Sequence, residues 1–308
     1  MFSPLSLVEI SGFLMQKIIR LFLAFRQAEG LARRTLEDYR AHLTAFSARI
    51  PEGTEDYRAA VLSYLSDDIN PNTHNLRFAY LKKFFSWCLE EGLLSCAHPL
   101  AGLKKRRPVG RVVHIETDTL ADLLRLPDRR TFTGLRDYAL ILFSLDCGAR
   151  PGESLQLRPG DFDLAGLLVT IPAPAAKTRQ ARTVPITAQT VLAVQALLAA
   201  RHPEWGDAPV FCSEDGGAYG VRSWGHRLKD YAARLGKTIT PYHLRHAAAL
   251  GMLRRGMNVF ALRDMMGHAD LSTTQKYLAL TLDDLRKAHA ESSLVNEVAP
   301  RRHRVRKV

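Results

Sequence analysis

The 308-residue chain lacks several features that would assign it to a class at once. It has four cysteines, Cys88, Cys96, Cys147 and Cys212, and no two stand at Cys-x-x-Cys spacing. A disulfide scaffold and a cysteine-rich zinc site are therefore unsupported, and a reducing compartment fits. No run of 18 apolar residues occurs; the apolar N-terminal stretch is broken by Glu9, Lys17 and Arg20. Neither a signal peptide nor a membrane span is expected. There is no P-loop to imply ATP and no constellation of metal-ligand spacing, so no cofactor and no metal are expected. Internal repeats are absent. What remains is an ordinary folded composition, 46% hydrophobic and 24% charged, which argues against disorder, collagen and coiled coil. The length suggests about two domains.

Charge is the first positive signal. Lys and Arg number 43 against 31 Asp and Glu, for a formal charge of +12. A basic excess of this size suggests a polyanionic partner, nucleic acid first and an anionic membrane surface second. The excess is concentrated. Lys104, Lys105, Arg106, Arg107 and Arg111 lie in one acid-free run, and Arg301, Arg302, Arg304, Arg306 and Lys307 in the last eight residues. Without those ten, 33 basic residues face 31 acidic ones. The tail reads equally well as a solvated end. The internal run lies between two well-patterned regions, where a linker along a duplex would neutralise several phosphates.

Residues 14–103 read as four helices. The first is FLMQKIIRLFLAFRQ. The second starts at Thr35, with Asp38 completing a shortened capping box, and repeats Leu36, Tyr39, Leu43, Phe46 and Ile50 at helical spacing. The third starts near Thr54. The fourth runs from about Thr73 to a stop at Gly92. Its stripe Leu81, Phe84, Phe85 and Cys88 predicts core, while Lys82 and Lys83 face either DNA or water. Residues 114–295 are mixed, with helices predicted near 118–126, 134–147, 187–201, 222–235, 241–255 and 258–266. Between Asp163 and Ile186, LAGLLVTIP and RTVPIT read as strands of a small antiparallel sheet.

Four separated patches carry chemistry. CGARPGE holds Arg150 and Glu153. AAKTRQARTVPIT holds Lys177 in the turn of the predicted hairpin. TPYHLRHAAALGMLRRG holds Tyr242, His243, Arg245 and His246. MMGHADLSTTQKYL holds His268 and Tyr277. Each residue alone has an ordinary structural explanation: an arginine at a helix end is usually a surface ion pair. Together they resemble the tyrosine recombinase (phage integrase) family, whose pattern is Arg, a hairpin Lys, His-x-x-Arg, a His or Trp, then a nucleophilic Tyr. Order and local context both match. The segment FLAFRQAEGLARRTLEDYRAHLTAF is similar to the family's core-binding domain, and HPLAGLKKRRP to its linker. The resemblance covers roughly residues 14–290.

One position departs. The family's histidine, three residues before the second Arg, is here Tyr242, with His243 one place later. Either Tyr242 takes the role as a hydrogen-bonding group, or His243 reaches in through a local adjustment. Neighbours on a helix point about 100° apart, which disfavours the second option.

The chemistry of the remaining residues suits the reaction the resemblance implies. A Tyr277 hydroxyl can hold a phosphate covalently while a DNA strand is broken. Arg150 and Arg245 suit the charge of a pentacovalent transition state, because guanidinium pairs bidentately with phosphate. His268 can donate another hydrogen bond, and Lys177 can protonate the leaving 5′-oxygen. Glu153 would orient an arginine, with His243 and His246 in support.

The fold expected is mainly α with a small antiparallel sheet. It comprises an extension (1–13), a helical, SAM-like core DNA-binding domain (14–103), a basic linker (104–113), an α+β catalytic domain (114–295) and a basic tail (296–308). The resemblance implies a homotetramer on double-stranded DNA with paired recombination sites, a dimer at each, in the cytoplasm with the nucleoid and without a membrane. Within the family, a chromosome-dimer resolvase competes with an integrase of a mobile element. CGARPGE, Tyr242 and the basic tail lean toward the latter. A type IB topoisomerase-like enzyme, or a catalytically impaired DNA-binding protein of the same fold, are the rivals from other classes.

Overall fold

The computed structural model describes residues 7–51, 56–107, 115–176, 179–268 and Ala290, with side chains from Leu14 onward. The chain divides into two compact units, 1–110 and 111–308.

The first unit holds four helices among its described residues: α1 (Leu7–Ala28), α2 (Arg33–Ser47), α3 (Tyr57–Leu65) and α4 (Pro71–Glu90). Their apolar stripes meet in one core, with Phe22, Leu43, Phe46, Val61, Phe84 and Phe85 fully buried. Phe84 lies edge-on to Phe22 and to Phe85, with ring centres 5.3 and 5.4 Å apart, a geometry favoured by the ring quadrupoles. Asn70 caps α4 by accepting from the Thr73 N–H, and Pro71 fills the first turn. Gly92, at φ +67°, ends that helix where the sequence places its stop. The Leu93 N–H then reaches back to the Cys88 carbonyl, the bond that closes a Schellman turn.

Two local readings are corrected here. Helix α1 starts at Leu7 and runs through Ser11 and Gly12, so the segment 1–13 is not wholly outside the helix. Two weak helix formers cost only about 1 kcal/mol or less apiece, too little to stop a long helix. Thr35 and Asp38 form no capping box. α2 begins two residues earlier, after Ala32, and Asp38 instead pairs one turn back with Arg34 at 3.4 Å.

The second unit contains α5 (Thr117–Arg125), α6 (Phe132–Cys147), α7 (Pro151–Ser154), α8 (Ala188–Ala199), α9 (Val221–Arg234), α10 (Pro241–Arg254) and α11 (Val259–Met266). Strands β1 (Phe162–Asp163), β2 (Leu168–Ile171) and β3 (Arg182–Pro185) form an antiparallel sheet in the order β1-β2-β3. The sheet therefore has one short strand more than the predicted pair. LAGLLVTIP is half turn: Asp163 Oδ1 accepts from the Gly166 N–H at 2.8 Å, and Leu167 has φ +55°. In β2–β3, Val169 pairs with Val184 and Ile171 with Arg182.

Helix α6 is the spine of this unit, packed by α8 and α10. Leu140, Ile141, Phe143 and Cys147 are buried along it. Thr131 caps its start through the Gly134 N–H, and Gly148 ends it at φ +60°. That left-handed turn costs a Cβ-bearing residue roughly 1–2 kcal/mol. It redirects the chain immediately before Arg150. No described helix is long and apolar enough to cross a membrane.

Candidate active site

Three segments deliver the site. After Gly148 the chain runs extended through Arg150 into Pro151, the first residue of α7. Thr240 caps α10 by accepting from the His243 N–H, and Pro241 sets its first turn, which brings Arg245 inward at 4% exposure. Asn258 caps α11, and Gly267 ends it at φ +64°, with His268 next.

The arginines converge on the end of α11. Arg150 Nη2 donates to the Gly267 carbonyl at 2.7 Å. Arg245 Nη2 donates to the Met266 carbonyl at 3.1 Å, and Arg245 Nη1 to the Gly148 carbonyl at 2.6 Å. Arg182 Nε donates to the Met265 carbonyl at 3.1 Å. Three consecutive carbonyls thus each accept from a different guanidinium. The last carbonyls of a helix have no partner within it and carry its negative dipole end, so they hold a cluster of cations that would otherwise repel one another.

Glu153 is the acid of the cluster, at 2% exposure. Its Oε1 accepts from Arg150 Nη1 at 2.9 Å and its Oε2 from Arg182 Nη2 at 2.5 Å. Oε2 also accepts the Arg150 backbone N–H at 3.1 Å. Burial alone would raise this carboxyl, but Arg182 and then Arg150 outweigh it and hold it below its ordinary value. Among the described residues the cluster sets one carboxylate against three guanidiniums.

His268, 8% exposed, receives Arg245 Nη2 on its Nε2 at 2.7 Å. Guanidinium only donates, so Nε2 is the acceptor and the neutral ring carries its proton on Nδ1. Burial, then the charges of Arg245, Arg150 and Arg182, push the imidazole down to about 4.

The structure therefore brings together Arg150, Glu153, Arg245 and His268, which the family resemblance groups in one site. Tyr242 is different. It stands in the first turn of α10 at 52% exposure, with its ring open to the outside while Arg245 is buried. His243 is half-buried, and its Nδ1 has no hydrogen-bond partner. His246 is also half-buried on the same helix. Lys177 and Tyr277 lie outside the described residues, as does Arg111.

Among the expected DNA contacts, Lys82, Lys83, Lys104, Lys105 and Arg107 are exposed. Arg106 is exposed as well, and it also bonds within the first unit. Its guanidinium donates to the Leu65 and Ile69 carbonyls at 3.2 and 3.3 Å, and its backbone exchanges two 2.8 Å bonds with the Asn75 amide. It ties the run to the first unit, because the carbonyls after α3 need donors. Among the described residues no group of His, Cys, Asp or Glu could hold a metal ion.

Arg182 is the site residue that the sequence reading passed over. It shares strand parity with Val184, which is 1% exposed, so its side chain faces inward. An arginine on the core face of a strand is itself a signal.

Comparison with known proteins gives the family. Residues 114–283 match the phage integrase family. The tyrosine recombinase XerC of Myxococcus xanthus is 27% identical over 280 residues, covering 85% of this chain and 92% of that one. A Tn1549 transposon integrase, solved with circular intermediate DNA, superposes with a TM-score of 0.73 at 17% identity, covering 89% of this chain and 99% of that one. A lambda integrase dimer bound to a COC′ core site does so with a TM-score of 0.69 at 14% identity, covering 84% and 96%. The family match spans more than half of the sequence, and on that ground the chain belongs to the phage integrase family.

Proposed function

We propose that this chain is a tyrosine-type site-specific recombinase that breaks and rejoins DNA through a 3′-phosphotyrosyl intermediate. The observation that carries this reading is the convergence of Arg150, Arg245 and His268 on the end of α11, a positively charged site for a phosphate. Tyr277 attacks the scissile phosphorus; the new P–O bond forms as the bond to the 5′-oxygen breaks. Lys177 gives that oxygen its proton. Arg150 and Arg245 stabilise the extra negative charge of the transition state, where preorganised donors act most strongly. His268 offers Nδ1–H as a further donor, and Glu153 orients Arg150. Tyr242 hydrogen-bonds the phosphate or the Tyr277 hydroxyl in place of the family's histidine. Attack by a 5′-hydroxyl then reverses the chemistry and seals the strand.

The substrate is double-stranded DNA with paired recombination sites. Four copies of the chain act together, two at each site, in the cytoplasm with the nucleoid. Residues 14–103 and 114–295 grip the duplex from the two domains, with 104–113 as the joint between them. Lys82, Lys83, Lys104, Lys105, Arg107 and Arg111 meet phosphate. The DNA in the two solved relatives, and the recombinase activity named for the curated one, support these assignments.

A site selected by binding from a randomised duplex pool, then nicked beside the cleavage position, gives a substrate that traps the covalent adduct. The wild-type protein forms this adduct on a denaturing gel. Tyr277→Phe binds the same duplex equally well and forms none; adduct in the variant overturns the assignment.

A further inference from the structure

We propose that Arg182 is a positioning residue of the cleavage site: it fixes the Glu153 carboxylate and the end of α11, and through both it aims the Arg150 guanidinium. The inference rests on the recombinase reading above and adds a residue to it.

Arg182 is only 11% exposed along its side chain, although it sits on a strand at the surface of a small sheet. Its fork reaches in two directions. Nη2 grips Glu153 Oε2, and Nε holds the Met265 carbonyl. Both partners belong to the machinery that holds Arg150. Glu153 accepts from the Arg150 side chain and backbone. Gly267, two residues after Met265, accepts the other arm of Arg150. Arg182 thus touches both supports of that guanidinium and has no hydrogen bond to Arg150 itself.

Gly267 shows how closely these parts fit. A Cβ there would lie 2.7 Å from both Cζ and Nη1 of Arg182. The backbone that presents the Gly267 carbonyl to Arg150 therefore rests directly on the Arg182 guanidinium. Nη1 is buried and has no acceptor. A donor left unmatched in the interior is costly, and an arginine that served stability alone would be better replaced by a smaller residue. The planar fork suits this double hold, because it engages a carboxylate and a carbonyl at once, which a single ammonium cannot do in the same way.

Removing Arg182 takes away one of the two guanidiniums that Glu153 holds among the described residues. Among the described residues, the charged and titratable groups near that carboxylate include Arg150 and Arg182, with His268 within coulombic range and Arg245 bonded to His268. Without Arg182, burial is less well opposed, so Glu153 takes up a proton at higher pH. Arg150 then loses its anionic anchor in acid.

The test measures single-turnover adduct formation, duplex affinity and thermal melting for the wild type, Arg182→Gln, Arg182→Lys, Glu153→Gln and the Arg182→Gln/Glu153→Gln double variant. A misplaced catalytic group costs up to about 10²-fold. Arg182→Gln is expected to cleave about 10- to 100-fold more slowly with affinity within about threefold, and Arg182→Lys to recover part of the rate. Cleavage by Arg182→Gln falls further as the pH is lowered, relative to wild type, and that fall is absent in the double variant. The double variant cleaves no more slowly than the slower single one. Wild-type cleavage by Arg182→Gln overturns the proposal, as does a rate loss that multiplies fully with that of Glu153→Gln. If Arg182→Gln melts below the assay temperature, Arg182→Lys decides: slower cleavage at unchanged affinity supports the proposal, and a wild-type rate overturns it. Failure of the wild type to form any adduct would instead overturn the recombinase reading.

Discussion

Arg245 and His268, 23 residues apart in sequence, meet through a 2.7 Å bond from Nη2 to Nε2. The contact ties the histidine to one protonation state. A protonated ring would set an N–H against a guanidinium that can only donate, in a site already positive. The folded-state pKa of about 4 lies below the ordinary 6.5. The unfolded chain therefore binds more protons between those values, and stability falls as pH drops through that window. From pH 7 to 5 the loss from this group is about 2 kcal/mol, at roughly 1.4 kcal/mol per pKa unit. Urea melts at the two pH values are expected to show it, and His268→Asn to flatten the difference.

Arg150→Ala and Arg245→Ala are each expected to slow cleavage by about 10²–10³, the usual cost of losing one transition-state donor. Duplex affinity changes far less, because many other phosphate contacts remain. The two differ in stability. Arg245 satisfies the Gly148 and Met266 carbonyls inside the protein, and unmatched buried groups cost about 1–3 kcal/mol. Arg245→Ala is thus expected to melt lower than Arg150→Ala. An affinity loss as large as the rate loss would make these residues ground-state binders.

Lys177 is assigned to the leaving group. A duplex with sulfur in the 5′-bridging position releases a thiolate that needs no proton. It is expected to restore cleavage by Lys177→Ala and to leave Arg150→Ala impaired. If Lys177→Ala gains nothing from sulfur, the lysine binds DNA and does not act as an acid.

Tyr242 stands open at the start of α10, where an incoming duplex can meet it, whereas the His243 ring is turned half inside. In the proposed mechanism Tyr242 serves as a hydrogen-bonding group. Tyr242→Phe is expected to slow single-turnover cleavage, His243→Ala to change it little, and Tyr242→His to keep or raise it. A severe loss in His243→Ala beside a normal Tyr242→Phe would shift the role by one residue.

Much of this was legible before the fold was known. Helical spacing identified Leu43, Phe46, Phe84 and Phe85 as core, and all four are buried. Gly92, Gly148 and Gly267 end helices in left-handed turns, as a glycine after an apolar stripe suggests. Helix starts were less legible. α1 and α2 both begin earlier than the pattern indicates; α2 starts without a capping side chain, which leaves no mark in the residue types. The two-residue strand β1 escaped notice because it is held by its pairing with β2 and is too short to show an alternation of its own.

The sequence by itself determined which residues carry the family resemblance and in what order: an arginine before Pro-Gly-Glu, a second in Leu-Arg-His, and a histidine after Met-Met-Gly. These are side-chain properties, and local context marks them. It also held the inward parity of Arg182, though nothing local says what an inward arginine would touch. The tertiary structure alone decided that the carbonyls of Met265, Met266 and Gly267 would each take one guanidinium. It decided too that Glu153 would sit between Arg150 and Arg182. Carbonyl oxygens are the same at every residue, so a sequence cannot single them out. They become specific partners only when α11 ends against β3, α7 and α10, and the direction of each arginine is set there.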